Sequence, residues 1–330
     1  MRYRDLGDTG IRVSEVGFGV WTISTGWWGE VDDARSLRLL RRAYELGINY
    51  FDTADTYGSG KGETILADAF GGMREEVVIS TKIGYDFYNH TKRRGQQERP
   101  QDWSEDFIRF ALEQSLRRLG TDYVDFLQLH NAKMDAIEND RLFELLEEFK
   151  REGKIRAYGV ALGPKIGWRE EGVRAMRERD IDGLQMIYNI LEQDPGRDLI
   201  EAARETDTGL FVRVPHSSGM LEGKYDENTT FAKNDHRRHR PKEWLLEGLR
   251  KVEKLDFLTD SGERTLGQAA LKFILASPEV VSTLPNIYDE DQLEEFAAAP
   301  DTPDLTGEEL TRIAELYESD FGLKASGVRP

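Results

Sequence analysis

Cysteine is absent from the 330 residues. That excludes disulfides, thiolate metal sites and a cysteine nucleophile. Long apolar runs are missing too; none approaches the roughly 20 residues of a membrane span. Met1-Arg2-Tyr3-Arg4-Asp5 lacks the apolar stretch of a secretory signal, so the cytoplasm is the expected compartment and a membrane is not an expected partner. Positive charge is scarce: 45 Lys and Arg stand against 62 Asp and Glu, for a net charge of −17. Phosphate contacts dominate nucleic-acid affinity, so such a surface argues against a nucleic-acid partner. Histidines are few. His236-Arg237-Arg238-His239 is a poor metal site beside its arginines, and no metal is expected. No Pro/Ser-rich linker divides the chain, so residues 1–330 are read as one domain.

What is present is a beat. Tyr3–Val13 reads as a hairpin around Gly7-Asp8-Thr9-Gly10. Glu15–Trp21 reads as a first long strand. Its Gly17-Phe18-Gly19 lacks the third glycine and the following helix of a dinucleotide fingerprint. Helix and strand patterns then alternate: helix 32–46, strand 49–53, helix 63–70, strand 77–82, a charged insert 84–103, helix 104–119, strand 124–129, helix 141–151, strand 155–161, helix 168–178, strand 183–188, helix 197–206 and strand 210–214. Helix 104–119 is read with Phe107, Phe110, Ala111, Leu112, Leu116 and Leu119 as one apolar stripe. A linker, 216–242, precedes helix 265–276, strand 280–284, helix 289–298 and an extra helix near 307–319. Eight strand–helix pairs with near-continuous apolar strands predict an α/β fold. The form expected is a (β/α)8 TIM barrel with an N-terminal β-hairpin, rather than an open sheet.

In such barrels the active site lies at the C-terminal ends of the strands. Three strand ends here carry chemistry. Phe51-Asp52-Thr53-Ala54-Asp55-Thr56-Tyr57-Gly58 breaks from an apolar strand into polar residues, placing Asp52 at the strand end and Tyr57 in the loop. Val77–Lys82 ends on a lysine, and Val124–His130 on a histidine. A phenol is a poor acid at neutral pH. A nearby ammonium favours the phenolate, and a carboxylate keeps a buried ammonium charged. A histidine at the same mouth can donate to a substrate oxygen. The set suits proton exchange with a carbonyl or hydroxyl oxygen. A hydrolase would need a metal cluster or an acid pair, which Asp52 and Asp55 beside Lys82 do not supply.

The chain resembles the aldo-keto reductases over nearly its whole length. The matching segments are Gly17-Phe18-Gly19-Val20-Trp21, Phe51–Gly58, Ser80-Thr81-Lys82, Leu127-Gln128-Leu129-His130, Gln185 with Tyr188-Asn189, Gly219-Met220-Leu221-Glu222-Gly223-Lys224-Tyr225 and Gln292-Leu293-Glu294-Glu295. The resemblance implies hydride from a nicotinamide cofactor. It implies Tyr57 as general acid, Lys82 and Asp52 as its tuning pair, and His130 as the group orienting the carbonyl. The expected activity is NAD(P)H-dependent interconversion of an aldehyde or ketone, sugars included, with its alcohol. The expected partner is thus a small-molecule carbonyl or alcohol. The alternative is a non-enzymatic, cofactor-sensing regulatory subunit on the same barrel.

The cofactor set implied is Trp21, Gln185, Arg213, Pro215, Ser217, Gly219, Leu221, Lys224, Asn286, Tyr288, Asp289, Gln292 and Glu295. Gln185 is expected to meet the nicotinamide carboxamide. Arg213 stands where the family often has a stacking aromatic ring; a planar guanidinium can stack as well, or form an ion pair at the rim. Ala161-Leu162 stands where the family often has Ser-Asn. Backbone N–H groups and serines in Pro215–Leu221 suit a pyrophosphate. Asp289 stands where a basic residue often meets a 2′-phosphate, and Phe296 where an asparagine is usual. NADP(H) is the expectation from family habit, with NAD(H) as the alternative. Trp21, Trp27, Trp28, Tyr85, Phe87 and Tyr88 follow strands one and three and are read as an aromatic pocket wall or as loop anchors.

Overall fold

The computed structural model of the protein describes residues 1–29, 31–91, 98–163 and 168–323. Strands β1 (Tyr3–Asp5) and β2 (Arg12–Ser14) pair antiparallel, with Tyr3 opposite Ser14, as the turn chemistry predicts. Eight further strands follow: β3 (Phe18–Gly19), β4 (Tyr50–Asp52), β5 (Val78–Ile83), β6 (Val124–His130), β7 (Ile155–Ala161), β8 (Gly183–Ile187), β9 (Gly209–Arg213) and β10 (Val280–Leu284). They lie in sequence order and are parallel throughout. A parallel bridge between Val16 and Thr283 joins the two ends of the sheet. There the Gly17 N–H donates to the Thr283 carbonyl at 2.9 Å, and the Thr283 N–H to that of Glu15 at 2.9 Å. A helix follows each strand, so the architecture is the (β/α)8 barrel.

The hairpin's Leu6, Ile11 and Val13 join Tyr50, Phe126 and Phe211 in one buried apolar cluster. Phe211 anchors it, its ring centroid 4.8 Å from that of Tyr50 and 5.0 Å from that of Phe126. A larger cluster fills the layer between strands and helices. The helices bury one face each because their apolar residues recur at helical spacing. Asp33–Glu45 starts where predicted, with the Asp32 carboxylate accepting the Arg35 N–H at 2.8 Å.

Three expectations fail. The first long strand shrinks to Phe18–Gly19, and Trp21–Ser24 forms a helical turn. Its hydroxyls turn back on the chain: Ser24 Oγ donates to the Val20 carbonyl at 2.8 Å and Thr25 Oγ1 to that of Trp21 at 2.8 Å. Apolar content promised a strand, but local side-chain bonds to the backbone won. Phe110 leaves the predicted stripe; it is 44% exposed and packs its ring on Tyr88, while Ile108 and Ser115 take the buried face. Finally, helix Lys242–Val252 begins at the last residue of the stretch read as linker and runs on through residues where no helix was expected. Leu245, Gly248 and Val252 give it a helical stripe, masked by the charged run before it.

Candidate active site

Asp52 ends β4 and Lys82 lies near the end of β5, one strand over. Their side chains meet with Lys82 Nζ 2.5 Å from Asp52 Oδ2, and Nζ also donates to the Thr53 carbonyl at 2.7 Å. Both residues are buried. Asp52 Oδ1 accepts three neutral donors: Ser80 Oγ at 2.9 Å, Gln128 Nε2 at 3.0 Å and Gln185 Nε2 at 3.0 Å. The carboxylate is thus held by residues of β5, β6 and β8. Anionic acceptors make the stronger hydrogen bonds, so these contacts fix Asp52 and, through it, the ammonium.

Tyr57 sits above this pair. Lys82 Nζ lies 5.0 Å from its ring centroid. The loop carrying it is tightly wound: Gly58, Ser59 and Gly60 have φ of 58°, 56° and 98°. A Cβ at Gly58 would run into the Ser24 carbonyl oxygen. Only glycine meets both demands there. His130 ends β6, edge-on to Tyr57 at 5.7 Å and to Tyr85 at 5.0 Å between ring centroids. Burial first, then the charges of Lys82 and Arg213, push its imidazole well below the usual histidine range. His130 is therefore neutral at physiological pH. Its Nδ1 is buried without a hydrogen-bond partner. The structure thus brings Asp52, Tyr57, Lys82 and His130 to one mouth.

Most of the residues expected to meet the cofactor lie in or after the loops that follow β9 and β10. Arg213 ends β9, and its Nη2 donates to the carbonyls of Leu162 (3.1 Å) and Gly163 (2.8 Å). Ala161 and Leu162 themselves are buried and apolar. The chain then winds tightly: Val214, Ser217, Ser218 and Gly219 have φ of 59°, 46°, 60° and 93°. Positive φ at a β-branched valine is a genuine outlier, a feature that gathers at ligand clamps. Pro215 and Ser217 are buried in this winding, and the Leu221 side chain lies in the core. Gly219 has no room for a Cβ against the Tyr225 hydroxyl.

Gln292 ties this loop to the one after β10. Its Nε2 donates to Glu222 Oε2 at 2.9 Å, its Oε1 accepts from the Tyr288 N–H at 3.3 Å, and its own N–H reaches Asp289 Oδ1 at 2.8 Å. Asp289 thereby caps helix Glu290–Ala298. Glu295 turns to the preceding helix, accepting from Thr265 Oγ1 at 2.6 Å. Asn286 is half-buried near the start of the loop after β10. Phe296 is fully buried and packs on His216, ring centroids 4.4 Å apart.

Trp21 and Tyr288 belong to an aromatic cluster around Trp28, with centroid distances of 6.2 and 5.9 Å. Arg237 closes it, its guanidinium 3.9 Å from the Trp28 centroid. The same side chain holds Asp235 (Nη2 to Oδ2, 2.6 Å) and the Tyr225 hydroxyl (2.7 Å). The loop after β9 is thus strapped to those after β3 and β10.

Several functional neighbours escaped the sequence reading. Ser80 and Gln128 each lie two residues before a predicted site residue, and the two-residue period of a strand puts both on the inward face. Tyr85 was expected as a pocket wall or a loop anchor, and only its edge contact with His130 had no signal beyond its aromatic character. Nothing in the run His236-Arg237-Arg238-His239 sets Arg237 apart from its neighbours in the sequence.

Glu222 Oε1 is buried and has no hydrogen-bond partner. Burial, the leading cause, pushes the carboxyl up to about 7. A carboxyl raised above its unfolded value loses stability as pH climbs from that value to the folded one, and the penalty persists above. Glu222→Gln is therefore expected to raise the melting temperature at about pH 8 and change it little at about pH 5. Thermal melts at the two pH values check this; an equal shift at both would contradict it.

These features fit a bound dinucleotide. Orphaned polar atoms remain at His130 and Glu222, and the winding after β9 is a cradle with no space for added carbon at Gly219. Comparison with known proteins agrees. The profile of the Aldo/keto reductase family matches residues 15–318. The aldo-keto reductase YhdN of Bacillus subtilis (strain 168) is 31% identical over 287 residues, 84% of this chain and 82% of its own. The NADH-specific methylglyoxal reductase of Escherichia coli (strain K12) is 28% identical, with 97% of this chain and 99% of that one covered. Among solved structures, an aldo-keto reductase from Bacillus halodurans in its holo form matches with a TM-score of 0.75 at 29% identity, over 96% of each chain. The chain belongs to the aldo/keto reductase family and is an NAD(P)-dependent oxidoreductase.

Proposed function

We propose that the protein interconverts an aldehyde or ketone with its alcohol, Tyr57 exchanging the proton with the substrate oxygen. The observation that carries this is the buried Lys82–Asp52 pair directly beneath the Tyr57 ring. When bound, a reduced nicotinamide supplies hydride to the carbonyl carbon. The protein's residues do the rest. As the phenol proton leaves, negative charge grows on Tyr57, and the ammonium facing the ring stabilises it in a site of low dielectric. Asp52 keeps that ammonium charged and in place. Neutral His130 can donate a hydrogen bond to the carbonyl oxygen and hold it toward Tyr57. The intact four-residue set favours catalysis over a non-enzymatic sensor.

The residues proposed to hold the dinucleotide are Trp21, Gln185, Arg213, Pro215, Ser217, Gly219, Leu221, Lys224, Asn286, Tyr288, Asp289, Gln292 and Glu295. Gln185 also donates to Asp52, so it would link the nicotinamide end to the catalytic carboxylate. NADP(H) is the proposed form. Asp289 is engaged as a helix cap, and Lys224 and Arg237 are cations whose fields reach Glu222 in the same region.

Carbonyl-dependent loss of reduced-dinucleotide absorbance tests the reading, with NADPH and NADH run side by side. The panel should hold aldehydes, ketones and sugars, and methylglyoxal, the substrate named for the E. coli relative. Turnover with a higher kcat/KM for NADPH is expected. A strong preference for NADH would reverse the cofactor assignment, and no turnover with any carbonyl would remove the reductase reading.

A further inference from the structure

The strap between β9 and helix Lys242–Val252 has a second, outward side. There a cavity of about 370 Å³ opens among Thr230, Phe231, Arg238, Arg240, Lys242 and Trp244. No carboxylate lines it, although the chain as a whole carries a net charge of −17. Three cations converging on one cavity in so acidic a protein form a local reversal of field.

Each cation is placed differently. Lys242 donates its ammonium to the Glu227 carbonyl and so braces the wall. The Arg240 guanidinium lies 5.3 Å from the Trp244 ring centroid. Among the described residues, the Arg238 guanidinium has no hydrogen-bond or ion-pair partner. Arg240 and Pro241 are extended, with φ/ψ of −72°/136° and −66°/155°, which spaces the basic side chains along one edge. Trp244 and Phe231, their centroids 6.4 Å apart and half-buried, supply flat apolar surface. Thr230 adds a hydroxyl.

We propose that this cavity is a binding site for a small organic anion: a phosphate monoester joined to a planar ring. Arg238 and Arg240 take the phosphate oxygens, as guanidinium forks do. Trp244 and Phe231 take the ring by stacking. Arg237, the buried neighbour of Arg238, has its guanidinium 4.9 Å from the Phe231 ring centroid. The site is separate from the group that would hold the dinucleotide, and the proposal does not depend on the reductase reading.

Phenyl phosphate titrated calorimetrically into the full-length protein at low ionic strength is the test. Saturable binding is expected, weakening as salt is raised. Arg238→Gln should lower the affinity about tenfold or more, the scale of one charge-assisted contact. Arg238 is exposed and makes no contact that folding needs, so this variant should melt as the parent does. Trp244→Ala should weaken phenyl phosphate but leave inorganic phosphate unchanged. Absence of saturable heat with the parent protein would overturn the proposal. So would equal affinity in parent and Arg238→Gln, or inorganic phosphate binding as tightly as phenyl phosphate.

Discussion

Tyr57→Phe should lower kcat/KM for carbonyl reduction by about 10²–10⁴-fold, the usual worth of a positioned general acid. The substitution removes one oxygen and keeps the ring. That ring packs edge-on to His130 and faces Lys82, so the loop that holds it should keep its shape. Dinucleotide affinity, read by quenching of tryptophan fluorescence, should stay within about a factor of two or three, because no charge is altered and no packing is lost. The two measurements separate the role assigned to Tyr57 from a merely structural one. A structural tyrosine would weaken binding and turnover together. Turnover at the parent rate would leave proton transfer to some other group and end the mechanism.

Separating Asp52 from Lys82 should be the most destabilising simple change in the site. Asp52→Ala leaves an ammonium buried against the Thr53 carbonyl and the Tyr57 ring, with no anion beside it. Breaking a buried ion pair from one side typically costs about 3–5 kcal/mol, mostly the desolvation of the stranded charge. It also takes an acceptor from three side-chain donors, Ser80, Gln128 and Gln185, of which Gln128 alone keeps another, Ser80 Oγ at 2.6 Å. Lys82→Met should cost less, since Asp52 keeps those three donors. The double variant, Asp52→Ala with Lys82→Met, should be markedly less destabilised than the sum of the two, because no charge remains to be stranded. Urea melts of the four proteins give the coupling directly. Strict additivity would mean that the two groups do not hold each other, and Lys82 could not then be kept charged by Asp52. Catalysis should fall steeply in all three variants.

Much of this was legible in the chain. The barrel followed from a count of alternating patterns, because strands covered on both faces must be apolar along their length. The catalytic set followed from three strand ends, because parallel strands in a barrel finish at the same rim. What stayed hidden depended on contacts between distant residues. Glu15–Trp21 looked like β4 in composition, yet only Phe18 and Gly19 are strand, since the sheet closes on a short irregular bridge there. Arg237 looked like its neighbours in a basic run. Only the fold shows that it turns inward onto Trp28 while Arg238 turns out. Gln128 and Ser80 were legible in principle, two residues before His130 and Lys82. Their meaning came from Asp52, which lies on another strand.

The bridge between Val16 and Thr283 also has a consequence for synthesis. The first and last barrel strands are separated in the chain by all six of the others, so a nascent chain on the ribosome cannot shut the ring until β10 has emerged. Until then β3 and β9 offer bare edges, and the interior around Tyr50, Phe126 and Phe211 lacks the wall that β10 supplies. Open parallel edges template unwanted pairing. A chain halted before Val280 should therefore precipitate rather than persist as a partial ring.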